Sequence, residues 1–120
     1  MKPETDAAVS HVDLKDRTKQ FSLPMIKPYQ ALPKTTEAQI IGKQVLRSGT
    51  SVGANTRAAF RGQSSKEFKA KLGIVIEEAD ESVFWLEILN EAGILDHSKT
   101  KDLKNEADQL VSIFVSIVKR

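Results

Sequence analysis

The chain contains no cysteine, so it has no disulfide to staple a loop and no thiolate to hold zinc or attack a substrate. A reducing compartment fits that absence. Histidine is nearly as scarce, with only His11 and His97. No apolar run approaches the roughly 20 residues needed to span a bilayer, so no membrane partner is expected. Met1–Lys19 is charged throughout and lacks the apolar stretch of a signal peptide. The expected location is therefore cytoplasmic, in a bacterium or archaeon. Proline is confined to positions 3, 24, 28 and 33. That leaves the remainder of the chain free to be helical and makes its first quarter the irregular part.

What is present is an ordinary globular composition. The chain has 120 residues, 40% of them hydrophobic and 28% charged, with a net charge of +2. One domain of this size buries a core without staples. Residues 1–11 are polar and without periodicity, and are expected to form a disordered tail ahead of a domain over 12–120. From Asp13, the apolar series Leu14, Phe21, Met25, Ile26, Tyr29 and Leu32 predicts a first helix, kinked or broken by Pro24 and Pro28 and ending before Pro33. Thr36 and Gln39 have the spacing of a capping box, opening a second helix that Gly62 stops. Ser64 and Glu67 repeat the pattern for a third, whose stripe of Phe68, Leu72, Val75, Ile76, Ala79, Val83, Leu86 and Leu89 has helical spacing. Gly93 suits its left-handed stop. A fourth helix is expected from about Ser98 to the end of the chain. No alternating strand pattern competes. Short connections between long helices predict an all-α, antiparallel up-down four-helix bundle.

The second helix is rich in small residues where it would be expected to be strong. Gly49 and Gly53 would each cost a solvated helix about 1 kcal/mol, which points to a close approach. Gly49, Ser51, Gly53 and Ala54 are the candidate flat surface. Lys43, Arg47, Arg57 and Arg61 lie within about 40° of one direction around the same helix. They are candidates for nucleic-acid phosphates, or for salt bridges with the acidic sector Glu77, Asp80, Glu81, Glu87 and Glu91 of the third helix. Asn55 and Ser51 either bridge helices or meet a ligand.

The third helix has a second apolar face, Ile74, Phe84, Trp85 and Ile88, largely opposite its core stripe. A helix apolar on two faces buries both, so these four are the candidate oligomer interface, unless the N-terminal segment shields them. The acidic sector lacks the Glu-x-x-His pairs of a di-metal bundle, so no metal and no cofactor are expected. There is no nucleophile–base pair, no Gly-x-Ser-x-Gly turn and no Gly-Lys-Ser/Thr phosphate loop. No enzyme activity is expected.

Ser51-Val-Gly-Ala-Asn55, Ala58-Ala-Phe-Arg61, Ser65-Lys-Glu-Phe68 and Lys71-Leu-Gly-Ile74 together resemble the signature of the four-helix bundle family that includes the 23S rRNA intervening-sequence protein. Glu77-Glu-Ala-Asp-Glu-Ser82, Trp85-Leu86 and Ala92-Gly-Ile-Leu95 extend the likeness over roughly residues 12–119. The resemblance implies a bacterial bundle that assembles as a homopentamer. A related branch serves diversity-generating retroelements, binding nucleic acid and a reverse transcriptase. Two features depart from that pattern: the prolines in the first helix, and a charge mild beside the strongly basic retroelement branch.

Overall fold

The computed structural model describes residues 11–120. Helix α1 spans His11–Ser22, a 3-10 turn follows at Leu23–Met25, and α2 spans Ile26–Ala31. Helices α3 (Thr36–Phe60), α4 (Ser65–Glu91) and α5 (Lys101–Val118) complete the chain, with a second 3-10 turn at His97–Lys99. Of the expected tail, residues 1–10 lie outside the described residues, while His11 already belongs to α1.

The expected break in the first helix is where Pro24 falls, in the 3-10 turn. Its ring removes a backbone donor and crowds the preceding turn. Pro28 is tolerated because it sits in the first turn of α2, where an amide has no helical partner anyway. Leu32, just before Pro33, takes the extended conformation that proline imposes on its predecessor.

The caps differ in detail from the sequence expectation. The N-cap of α3 is Thr35, not Thr36, its hydroxyl accepting from the Ala38 amide. Gln39 does not reach back to the cap; its side-chain amide donates to the Pro33 carbonyl (2.9 Å) and its oxygen accepts from Tyr29 Oη (3.2 Å). It thus closes the connection from α2. Ser64 does cap α4, accepting from the Glu67 amide at 3.1 Å, while Glu67 accepts from the Gln63 amide. Gly62 makes no left-handed stop; α3 has already ended at Phe60, with Arg61 as C-cap. At the end of α4, Gly93 has φ +74°. The Ile94 amide bonds the Leu89 carbonyl and the Gly93 amide that of Asn90, the double bond of a Schellman stop.

The buried positions alternate by threes and fours in every long helix. They are Leu14, Thr18, Phe21 and Met25 in the first arm; Ala38, Gly42, Val45, Gly49, Val52, Thr56 and Ala59 in α3, with Ser22 and Ser48 buried beside these rows; and Leu72, Val75, Ala79, Ser82, Leu86 and Leu89 in α4. Ala107, Leu110 and Phe114 continue the pattern in α5. A seam of this period keeps one stripe facing its neighbours along the whole helix, as in coiled-coil packing. Helix α3 lies beside α1 and α4, α5 lies beside α4, and α5 closes on α1. The result is a four-helix bundle in which α1, the 3-10 turn and α2 act as one arm. Across the closing edge, Arg17 forks onto Glu106, with Nε to Oε2 at 2.7 Å and Nη2 to Oε1 at 2.9 Å.

Polar residues enter this core without loose ends. Thr18, Ser48, Thr56 and Ser82 each donate a hydroxyl to the carbonyl four residues back, the Thr18 bond being 2.7 Å. Asn90 ties the α4–α5 turn: it donates to the Leu95 carbonyl and accepts from Thr100 Oγ1 and Lys104 Nζ.

Candidate functional site

The small residues of α3 create the site. Gly42, Gly49 and Gly53 fall within about 40° of one another around the helix and face the first arm. A Cβ on Gly42 would overlap Leu32 Cδ1, and one on Gly49 would overlap Met25 Cγ. One on Gly53 would come 2.8 Å from Ser22 Oγ and 3.2 Å from the Thr18 carbonyl oxygen. Of the four residues expected to form the flat surface, the structure brings Gly49 and Gly53 into the contact and leaves Ser51 and Ala54 out. Ser51 lies about 160° around the helix from Gly53, and Ala54 is exposed. Gly42 takes a place in the row that sequence reasoning did not assign.

Ser22 bridges the backbone of the two glycines that stand four apart. Its hydroxyl donates to the Gly49 carbonyl at 2.8 Å and accepts from the Gly53 amide at 2.9 Å. These are the two backbone groups that an α-helix ordinarily joins to each other. A Cβ on Gly53 would crowd this hydroxyl, whereas at Gly49 it is Met25 that leaves no room for one.

Beside this contact an open groove of about 230 Å³ lies between α1 and α3. Lys15, Lys19 and Ser22 line it from α1; Thr50, Gly53 and Arg57 line it from α3, with Ala54 at the rim. No carboxylate is among the lining residues.

The four cations expected on one α3 face are all exposed, yet they divide in two. Arg47 turns toward α4, where it pairs with Glu78 at 3.1 Å and with Glu81. Glu81 Oε2 also accepts from the Trp85 indole at 3.0 Å. The indole hydrogen bond first, and Arg47 second, hold the Glu81 carboxyl below its ordinary range. The same pair raises the Arg47 guanidinium, which is charged at any working pH. Lys43, Arg57 and Arg61 make no ion pair among the described residues. Lys15 and Lys19, which sequence reasoning missed, join Arg57 across the groove. They stand four apart on α1, a spacing visible in the sequence, but only the packing places them against α3.

The second apolar face of α4 is partly open. Phe84 is 50% exposed and Ile74 36%, so the N-terminal arm does not shield them. Trp85 and Ile88 are half-buried. Trp85 packs against the core as well as edge-on to Phe84, their ring centroids 4.9 Å apart. Among the described residues no group of three or more His, Asp or Glu is placed to hold a metal. No helix there is long and apolar enough to cross a membrane.

Residues 11–116 match the family described as 23S rRNA-intervening sequence protein. The chain belongs to that family. A crystal structure of a protein of unknown function from the S23 ribosomal protein family of Bacteroides thetaiotaomicron superposes with a TM-score of 0.82 at 33% identity. The match covers 89% of this chain and 99% of that one. No curated protein matches. For the 23S rRNA-intervening sequence family the comparisons thus carry a shared bundle and no assigned activity.

Proposed function

We propose that this chain is a non-enzymatic, homo-oligomeric bundle that binds RNA or DNA through exposed cations of α3. The observation that carries this reading is that Lys43, Arg57 and Arg61 are exposed with no carboxylate partner among the described residues. A net charge of +2 per chain is mild, but repetition of one basic face around an oligomer multiplies the local field. The family's name, 23S rRNA-intervening sequence protein, is in keeping with an RNA partner. The homopentamer implied by the resemblance supplies the repetition, and the exposed Phe84 and Ile74 supply a surface for it.

One observation favours a second reading, a protein-interaction scaffold: Arg47 is taken up by Glu78 and Glu81, so part of the basic face already serves the fold. Salt titration separates the two. Binding to structured RNA and duplex DNA at about 50 mM salt should weaken steeply with added salt, the log–log slope reporting the phosphates neutralised. Arg57→Glu with Arg61→Glu should flatten that slope and leave the oligomer intact. Failure of the unaltered protein to bind either polymer at that salt would establish the scaffold reading instead.

A further inference from the structure

We propose that the groove between α1 and α3 is a phosphate site formed by Lys15, Lys19 and Arg57. It rests on the nucleic-acid reading for the source of the phosphate, a polynucleotide backbone; free phosphate shares the same chemistry.

Three features of the groove converge on an anion. Its walls carry three cations and no carboxylate, so like charges face one space with nothing in the wall to offset their repulsion. None of the three makes an ion pair elsewhere among the described residues. The space lies beside the Gly53 contact, where Ala54 adds only a methyl group, while Ser22 ties the arm to the α3 backbone through Gly49 and Gly53. Lys15 is half-buried, the burial at which a lysine can cover apolar surface with its stem and keep its charge in water.

The neutral groups of the groove sharpen the chemistry. Ser22 donates its hydroxyl hydrogen to the Gly49 carbonyl, and Thr50 donates its own to the Leu46 carbonyl at 2.6 Å. The Gly53 amide is taken by Ser22. Every neutral donor named on the wall is therefore committed inside the fold, and recognition falls to the three cations. Such a site holds a phosphate by charge and is indifferent to the base attached to it. It also extends the basic surface from one helix to two, with Arg61, the C-cap of α3, four residues beyond Arg57.

The test uses the full chain, isotope-labelled, with two probes: inorganic phosphate and a short RNA duplex. Both should shift the same amide signals, those of Lys19, Gly53 and Ala54, with the duplex acting at lower concentration. Lys15→Ala with Lys19→Ala should abolish the phosphate-induced shifts and lower the salt slope of RNA binding by about 1 per lysine. The equal-charge control Lys99→Ala with Lys101→Ala, outside the groove, should leave the shifts in place. Lys19→Ala alone, at an exposed position, carries the test if the double variant loses its helical signal. If RNA binds and the groove variants behave like the control, the groove proposal is overturned and the nucleic-acid reading stands. If RNA does not bind but phosphate shifts the groove signals in the unaltered protein alone, the site stands for free phosphate and the nucleic-acid reading falls. If neither probe shifts the groove signals, the site is rejected.

Discussion

Ser22 occupies a place that helices normally keep to themselves, between a carbonyl and the amide four residues further on. Its bonds to Gly49 and Gly53 dock the first arm against the backbone of α3 and not merely against its side chains. Gly53→Leu would drive a branched side chain into Ser22 Oγ and the Thr18 carbonyl. Over-packing of this kind costs about 1–3 kcal/mol, and we expect a loss of that size in denaturant unfolding. A second residue-scale prediction follows from Glu81. Its folded value is depressed, so its contribution is present above the ordinary glutamate value of 4.5 and lost as pH falls through the lower folded value. The side chain is about a third exposed, so screening keeps the effect on stability small. Trp85, the only tryptophan, reports it directly. Its fluorescence should titrate with a midpoint below 4.5, moving upward in Arg47→Ala; a midpoint at or above 4.5 would contradict the indole–carboxylate bond.

At the scale of elements, one glycine within α4 and one just past its end separate two reasons for having no side chain. Gly93 meets open space but has φ +74°, a conformation that costs other residues roughly 1–2 kcal/mol. Gly93→Ala should therefore lower the unfolding midpoint although it clashes with nothing. Gly73 also meets open space, within α4 and at an ordinary helical conformation. Gly73→Ala should raise stability by about 0.5–1 kcal/mol, measured by the same unfolding curve. Equal responses from the two would show that backbone conformation is not what distinguishes them.

For the whole molecule, the open question is what covers the outer face of α4. Phe84 is half exposed and rests edge-on against Trp85, and large apolar groups gathered on a surface mark interaction sites. Phe84→Glu is the informative change, because Trp85 also packs on the core and bonds Glu81. Light scattering should show the unaltered protein as an oligomer at micromolar concentration and Phe84→Glu as a folded, smaller species. A monomer mass for the unaltered protein would remove this face from the assembly.

The all-helical bundle was legible because it rests on local rules: prolines confined to the first 33 residues, Ser64 and Gly93 at helix ends, and apolar stripes of helical period. The cap of α3 was misplaced by one residue because Thr35 and Thr36 offer the same hydroxyl, and only the path of the chain after Pro33 chooses between them. The core positions of Gly42, Thr56 and Ser82 were missed because small or polar residues carry no hydrophobic signal, although they complete the three-four alternation. The cations of α3 were visible as a face. Their separate fates were not, since a helical projection gives a direction around the axis and says nothing of the neighbour. Only the packing of α4 against α3 turned Arg47 to Glu78 and Glu81. Only the crossing of α1 brought Lys15 and Lys19 to Arg57, across more than 30 residues of chain, because contacts between helices depend on which faces meet and not on spacing within either one.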